Sequence, residues 1–168
     1  MSILTKDVIL KEIKRGNIKI TPYNAANVGP GSIDLSLGKY FRLFKKHTDV
    51  HDADKTDYKD ITRFVEATSI VLRPGDTILG VTKEKVTLAP NLCGWLEGRT
   101  RFARLGLLIH ISASFMQPGV SNHQVLEISN MGGAPLKLTY GMKICQFVFQ
   151  RTIGKAKYAG KFSSQDRP

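Results

Sequence analysis

A series of short apolar runs, broken by frequent turn signals, is the feature that most constrains the fold of this chain. The runs include "SIDLSLG", "YFRLF", "TILGVT", "LGLLIHIS", "QVLEIS" and "KICQFVFQ". Glycine, proline and asparagine stand between the runs, as in "GPGS", "RPGD", "QPG" and "MGGAP". Many short strands with a turn every ~8–12 residues indicate a mainly β fold of the sandwich, jelly-roll or barrel type.

One helix is expected ahead of the strands, near the N-terminus. Thr5 is a suitable N-cap, and Val8, Ile9 and Ile13 recur at helical spacing before Gly16. Glycine is typical of the position that follows a helix.

Length and segment composition predict a single domain over residues 1–168. The chain contains no repeat, no low-complexity stretch and no linker that would divide it. The segment 158–168, "YAGKFSSQDRP", lacks apolar periodicity and is predicted to be a mobile tail. Its Tyr158, Lys161, Phe162 and Gln165 supply aromatic rings, a cation and an amide that would suit closure over a nucleotide, but the composition of the segment alone favours disorder.

The net charge of the chain favours an anionic partner, and its hydropathy argues against a membrane-spanning segment. Lys and Arg number 25 against 14 Asp and Glu, a formal net charge of +11, which favours an anionic partner such as nucleic acid, a membrane surface or a phosphorylated metabolite. The basic residues are spread along the chain, so the charge does not choose among these. No apolar run reaches the ~20 residues of a membrane span, and the start of the chain is too charged for a signal peptide. A cytoplasmic location follows by default, and Cys93 and Cys145, in apolar stretches, are expected to be buried free thiols.

The usual zinc and nucleotide motifs are absent from the sequence. The four histidines form no HExxH, the two cysteines form no CxxC, and the H-x-E with P-C-x-x-C pattern of zinc deaminases is missing. There is also no P-loop and no G-x-S-x-G nucleophile elbow. We therefore predict no metal ligands.

The stretch "GRTRFARLG" carries a phosphate signal. Arg99, Arg101 and Arg104 fall within six residues, with the hydroxyl of Thr100 between them. The planar guanidinium suits phosphate oxygens, but a charged surface turn has the same composition.

A second candidate is the carboxylate in the apolar run "HQVLEISN". Strand alternation places Val125, Glu127 and Ser129 on one face, so Glu127 either faces solvent or transfers protons in a dry pocket. In the second case burial is expected to raise its pKa.

Taken in order, these segments resemble the dCTP deaminase and dUTP diphosphatase superfamily, and within it the dCTP deaminase branch. The stretch "WLEGRTRFARLGLLIH" followed by "VLEISN" carries most of the resemblance, and "GSIDLSLG" and "YAGKFSSQD" extend it to nearly the whole chain. The resemblance implies a distorted, dUTPase-like β-barrel or jelly roll. It also implies a homotrimer whose active sites are shared between subunits.

The activity that the resemblance implies is hydrolytic, zinc-independent deamination of dCTP to dUTP and ammonia. Glu127 would be the acid–base group, and Thr100 and Arg104 would position the water and stabilise charge. Mg²⁺ would accompany the triphosphate as its charge partner. The implied substrate contacts are the Ala113 carbonyl at the base and water, Arg99 and Lys161 at the triphosphate, Gln165 at the base edge, with Arg101, Gln117, Tyr158 and Phe162 completing the set.

Three positions depart from the family pattern. Gln117 stands where the family usually has an aspartate that supports the sugar and, in diphosphatases, orients the attacking water; an amide cannot act as a carboxylate base. Arg101 replaces a small hydroxyl residue, and Phe162 replaces a tyrosine. One alternative is hydrolysis of dUTP to dUMP and pyrophosphate, alone or coupled to deamination, and Gln117 counts against it. Another alternative is an eroded trimer that binds nucleotide or nucleic acid, and retention of Glu127, Arg99 and Arg104 argues against it.

Overall fold

The N-terminal helix forms as expected. The computed structural model describes residues 2–163 and 165–168. Helix α1 covers Lys6–Lys14, Thr5 occupies its N-cap position, and Gly16 follows it with a φ of 75°. The Thr5 hydroxyl donates to the Asp7 carboxylate instead of accepting a backbone amide, so the cap position is filled without a side-chain cap bond.

Among the described residues, twelve strands form most of the remaining regular structure. A four-residue helix, α2, covers Thr100–Ala103 between two of them. The strands are β1 Ile18–Thr21, β2 Ser32–Ser36, β3 Tyr40–Phe44, β4 Thr62–Glu66, β5 Ser69–Leu72, β6 Thr77–Leu88, β7 Leu92–Gly98, β8 Leu107–Ile109, β9 Phe115–Met116, β10 Ser121–Asn130, β11 Leu136–Thr139 and β12 Lys143–Arg151.

Two main sheets enclose the core. The larger has the order β4-β3-β6-β10-β8, with β1 also paired to β6, and the smaller has the order β2-β12-β7-β9. Strands β5 and β11 form a separate pair. Every pairing between these strands is antiparallel. In the described residues the sheets do not close into a barrel, so the predicted mainly β fold is confirmed as a distorted jelly roll with an N-terminal helix.

The core lies between the sheets and follows strand alternation. Phe41 and Leu126 of the larger sheet and Phe147 and Phe149 of the smaller are each fully buried in one apolar cluster. The rings of Phe147 and Phe149 stack with centroids 4.6 Å apart. Burial of such side chains stabilises the fold by about 1.5–3 kcal/mol each.

The two cysteines are buried and free, as predicted, Cys93 in β7 and Cys145 in β12. Burial raises the pKa of both thiols. Among the described residues, no helix is both long and apolar enough to cross a bilayer.

Candidate active site

The central feature of the site is a carboxylate–imidazole pair. Glu127 lies in the middle of β10, opposite Leu79 of β6, and its Oε2 is 2.7 Å from Nδ1 of His110. His110 directly follows β8, which pairs with β10. Its backbone amide donates to the Glu127 carbonyl at 2.8 Å, so two bonds fix the imidazole beside the carboxylate.

His110 has an uncommon backbone conformation and a buried ring nitrogen without a hydrogen-bond partner among the described residues. Its φ is 50°, in the left-handed region that few non-glycine residues adopt. The side chain is 7% exposed, and Nε2 is buried with no hydrogen-bond partner among the described residues. Strained backbone and unsatisfied buried atoms concentrate at functional sites.

The pKa of Glu127 moves opposite to the expectation from burial. Burial alone raises it, but the hydrogen bond from His110 and the charge of that imidazole outweigh burial, so the pKa lies below its ordinary value of 4.5. The expected rise is therefore wrong, because the sequence did not reveal the partner. Glu127 is ionised at neutral pH and can accept a proton from a water molecule.

Glu127 opens into a cavity of about 490 Å³, which is the size of pockets that hold small molecules. Its walls combine aromatic rings with carboxamides. The aromatic residues are Phe44, Tyr58, Phe115, Tyr158 and Phe162, and the carboxamides are Gln117, Asn122, Gln124 and Gln165. Such a lining suits a flat heterocycle that carries polar edges.

The structure brings six of the predicted residues together in this cavity. They are Glu127, Ala113, Gln117, Tyr158, Phe162 and Gln165. None of the described residues that line the cavity is a lysine or arginine. The predicted phosphate-binding residues therefore lie elsewhere in the chain.

Thr100 and Arg104 line a second cavity of about 530 Å³, together with Gly98 and Ser114. His110 lines both cavities, so the imidazole stands between them. Within one chain, the predicted catalytic residues therefore lie in two different cavities, Glu127 in the first and Thr100 and Arg104 in the second.

The remaining predicted cations line neither of these two cavities. Arg99 pairs with Asp34 at 3.4 Å and donates to the Lys143 carbonyl at 3.3 Å. Lys161 pairs with Asp57 at 3.7 Å across an exposed surface. Arg101 is exposed, with its guanidinium 5.9 Å from the ring centroid of Phe102.

The C-terminal segment lies across the first cavity. Ser164, within the predicted tail, and Met1 are outside the described residues. The Tyr158 amide donates to the Pro118 carbonyl at 2.9 Å, and the His123 amide donates to the Gln165 carbonyl at 3.0 Å. The segment covers the cavity in this structure, and its mobility stays a prediction.

Sequence reasoning did not identify His110, Asn122, Gln124, Phe44 and Tyr58 as site residues. Phe44 ends β3 and Tyr58 belongs to the long polar loop that follows, so each looks like a surface residue in the sequence. The one signal in the sequence that could have identified His110 is its position as a polar residue inside the apolar run "LGLLIHIS".

Comparisons with known proteins agree with one another. The model of the dCTP deaminase-like family matches residues 3–152. A protein of Nocardioides sp. named "dCTP deaminase, dUMP-forming" is 39% identical over 99% of this chain and 92% of its own length. One of the same name from Kocuria rhizophila is 36% identical over 95% of this chain and 88% of its own length.

Among solved structures, the 2'-deoxycytidine 5'-triphosphate deaminase of Agrobacterium tumefaciens matches with a TM-score of 0.70 and 19% identity. The match covers 89% of this chain and 48% of that one, so this chain spans about half of the Agrobacterium chain. At that identity the match supports the fold.

Proposed function

The chain belongs to the dCTP deaminase-like family, and from that premise we propose that it catalyses the hydrolytic deamination of dCTP. The observation that carries the proposal is the pairing of Glu127 with His110 in a cavity walled by aromatic rings and amides. The names of the curated relatives support the same substrate.

The proposed reaction begins with a water molecule beside Glu127. The carboxylate takes a proton from the water, whose oxygen then forms a bond to C4 of cytosine. Glu127 gives this proton to the ring nitrogen N3 as the C4–N3 double bond opens. It then takes the second proton from the new C4 hydroxyl and passes it to the amino group, and ammonia leaves as the C4–N4 bond breaks and the 4-oxo group forms. Water and dCTP are thereby converted to dUTP and ammonia, and one positioned acid–base group contributes about 10²–10⁴ in rate.

Other cavity residues bind and orient the nucleotide. The Ala113 carbonyl faces the base and the water, the rings of Tyr158 and Phe162 cover the base, and Gln165 bonds its exocyclic edge. Gln117 bonds the sugar. The substrate enters as the Mg²⁺ complex of the triphosphate, whose oxygens carry the ion.

The triphosphate needs cations that the cavity lining does not provide. We propose that they come from a second copy of the chain, in a homotrimer with active sites shared between subunits. Thr100 and Arg104 of the neighbouring copy would then approach Glu127 and the water, and Arg99, Arg101 and Lys161 would lie along the phosphates. Guanidinium groups at the reacting centre stabilise developing charge.

A second candidate product is dUMP. The curated relatives carry "dUMP-forming" in their names, which favours a further hydrolysis that releases pyrophosphate. Gln117 counts against it, since its amide cannot activate a second water as a carboxylate does.

The decisive experiment incubates the protein with dCTP and Mg²⁺ in the presence of a zinc-selective chelator, and follows ammonia, dUTP, dUMP and pyrophosphate. Ammonia with dUTP supports the proposal, and dUMP with pyrophosphate supports the second candidate. Glu127→Gln should bind dCTP without releasing ammonia, whereas Glu66→Gln, at an exposed carboxylate on β4, should behave as wild type. Normal ammonia release by Glu127→Gln would refute the role of Glu127.

A further inference from the structure

Two buried carboxamides connect the cavity wall to the C-terminal segment. Asn122 and Gln124 are 5% and 3% exposed, and both line the cavity. Nε2 of Gln124 donates to Oδ1 of Asn122 at 2.7 Å, and Nδ2 of Asn122 donates to the Phe162 carbonyl at 2.8 Å. The hydrogen bonds therefore run without a break from the cavity to the segment.

The backbone of Gln124 lies at an irregularity in the pairing of β10 with β6. The register shifts between His123 and Val125, the extra residues belong to β6, and the backbone amide of Gln124 donates to the Thr82 hydroxyl at 2.9 Å. Burial alternates without a break along β10, so Gln124 lies on the face opposite Glu127, and both residues line the cavity.

The direction of each bond is fixed by the one before it, because a carboxamide has one donor end and one acceptor end. With Oδ1 of Asn122 occupied by Gln124, its Nδ2 faces the Phe162 carbonyl. Oε1 of Gln124 accepts no hydrogen bond from the described residues. Nε2 of Gln124 also donates to the Asn122 backbone carbonyl at 3.3 Å. A half-turn of Gln124 would lose this bond and place two side-chain oxygens together unless Asn122 also turned, and Asn122 would then turn an oxygen toward the Phe162 carbonyl.

We propose that Gln124 and Asn122 form an amide relay through which the exocyclic group of the bound pyrimidine controls closure of the C-terminal segment. The inference rests on the proposed function, since it takes that group to be the 4-amino group of dCTP. An amino group donates to Oε1 of Gln124 and keeps the segment bound. The 4-oxo group of the product is an acceptor, favours the turned Gln124 and releases the segment.

The two residues have different roles in the relay. Gln124 is a specificity-determining residue, because it distinguishes a donor from an acceptor at position 4. Asn122 is a positioning residue, because it acts by holding the segment that carries Tyr158, Phe162 and Gln165.

The mechanical half of the proposal is tested without ligand, by hydrogen exchange of the full-length protein. Asn122→Leu and Gln124→Met should each speed exchange in the C-terminal segment by roughly fivefold, the effect of one lost hydrogen bond. Ser121→Ala is the matched control, because Ser121 lies on the same strand as Asn122 and Gln124 but lines neither cavity. The substitution removes a 2.8 Å side-chain hydrogen bond to Thr87 of β6. If Asn122→Leu does not fold, Gln124→Met carries the test, and wild-type exchange in the folded variants would overturn the relay.

The specificity half uses the Glu127→Gln background, in which dCTP is not turned over. There dCTP should slow exchange of the segment more than dUTP does, and adding Gln124→Met should abolish the difference. Equal protection by the two nucleotides while Gln124 is present would overturn the relay. If neither nucleotide binds, the proposed function is overturned, and with it the assignment of the exocyclic group to dCTP. The hydrogen-exchange comparison without ligand tests separately whether Asn122 and Gln124 hold the C-terminal segment.

Steady-state kinetics separate this role from a purely structural one. With Glu127 intact, Asn122→Leu should raise KM for dCTP severalfold and change kcat little, while the melting temperature stays near that of Ser121→Ala. A fall in kcat with unchanged KM would contradict the positioning role.

Discussion

At the scale of single residues, the acid–base behaviour of Glu127 depends on one neighbour more than on burial. The carboxylate is partly buried, which favours its neutral form, but His110 holds it as an anion through a 2.7 Å bond. A general base must be ionised to work, so the imidazole keeps Glu127 competent at lower pH than burial alone would allow.

His110→Asn should move the acidic limb of the pH profile of kcat/KM to higher pH. Asparagine tolerates the positive φ at this position, but it removes the imidazole charge that lowers the pKa of Glu127. Burial remains, so the carboxyl should protonate at higher pH than in wild type. The measurement is ammonia release from dCTP between pH ~4 and ~8.

The control for this profile is His123→Asn. The His123 ring lies 3.1 Å from the Thr82 carbonyl and makes no bond to Glu127. If the acidic limb of the kcat/KM profile lies at the same pH in His110→Asn and wild type, a group other than the Glu127–His110 pair determines that limb.

The sequence supports Glu127 as a candidate because a carboxylate in an apolar strand is uncommon, but it does not reveal His110. The two residues are 17 positions apart, and their contact depends on the pairing of β8 with β10 and on a left-handed backbone turn. Period-two alternation correctly places Gln124 on the face opposite Glu127, but it does not show that the cavity is lined by both residues.

At the scale of elements, a buried carboxylate attaches helix α1 to the end of β12. Glu12 is 1% exposed and accepts hydrogen bonds from Asn17 at 2.7 Å, Arg151 at 2.8 Å and Arg15 at 3.1 Å. Burial raises the pKa of Glu12, but these partners outweigh it, and the pKa lies below its ordinary 4.5. The helix is therefore fixed through charge as well as through its apolar face.

Glu12→Gln should lower the free energy of unfolding at pH 7 by about 2 kcal/mol, because two arginines lose a buried anionic partner. Since the folded pKa is depressed, the contribution is fully present above 4.5 and disappears as pH falls through the lower folded value. Urea unfolding of wild type and variant over a pH series should show the difference shrinking at acid pH. Glu66→Gln, at an exposed ion pair with Lys39, should lower the free energy of unfolding by under about 1 kcal/mol. An equally small loss for Glu12→Gln would show that Glu12 does not fix helix α1 to β12.

Gly94 allows β7 and β12 to approach closely in the smaller sheet. A Cβ at this position would lie 2.1 Å from the Val148 carbonyl oxygen and 2.4 Å from the Phe147 ring. Gly94→Ala should therefore destabilise the protein by about 3 kcal/mol or more, measured by thermal or urea unfolding. Gly133→Ala is the matched control, since nothing lies within 4 Å of its added Cβ, and equal stability of the two variants would contradict this close packing.

At the scale of the whole molecule, the predicted machinery is distributed over two surfaces of one chain. Glu127 belongs to a cavity with no lysine or arginine among its described lining residues, whereas Thr100 and Arg104 line the second cavity. A net charge of +11 suits an anionic substrate, and the proposed homotrimer would bring the cations of a neighbouring copy to the cavity that contains Glu127. The overall fold followed from the sequence pattern, whereas this division did not, because spacing along the chain does not show which surface a side chain occupies.

Mixing two inactive variants tests the shared site directly. Glu127→Gln and Arg104→Ala should each abolish most dCTP deamination, and unfolding and refolding them together at equal amounts should restore about a quarter of wild-type activity, since each site needs intact residues from two neighbours. Light scattering should give the mass of three chains. Refolding each variant alone provides the control, and no recovery in mixed trimers would place both residues in one subunit's site.

The pairing of β2 with β12 has a consequence for synthesis of the protein. Strand β12 pairs with both β2 and β7, yet it begins only at Lys143, more than a hundred residues after β2. Until β12 has been synthesised, the nascent chain therefore has unpaired edges on β2 and β7, and its apolar core is incomplete. Exposed edges of this kind favour aggregation, so products truncated before Lys143 should be insoluble and dependent on chaperones, and the native sheet can form only after β12 has been synthesised.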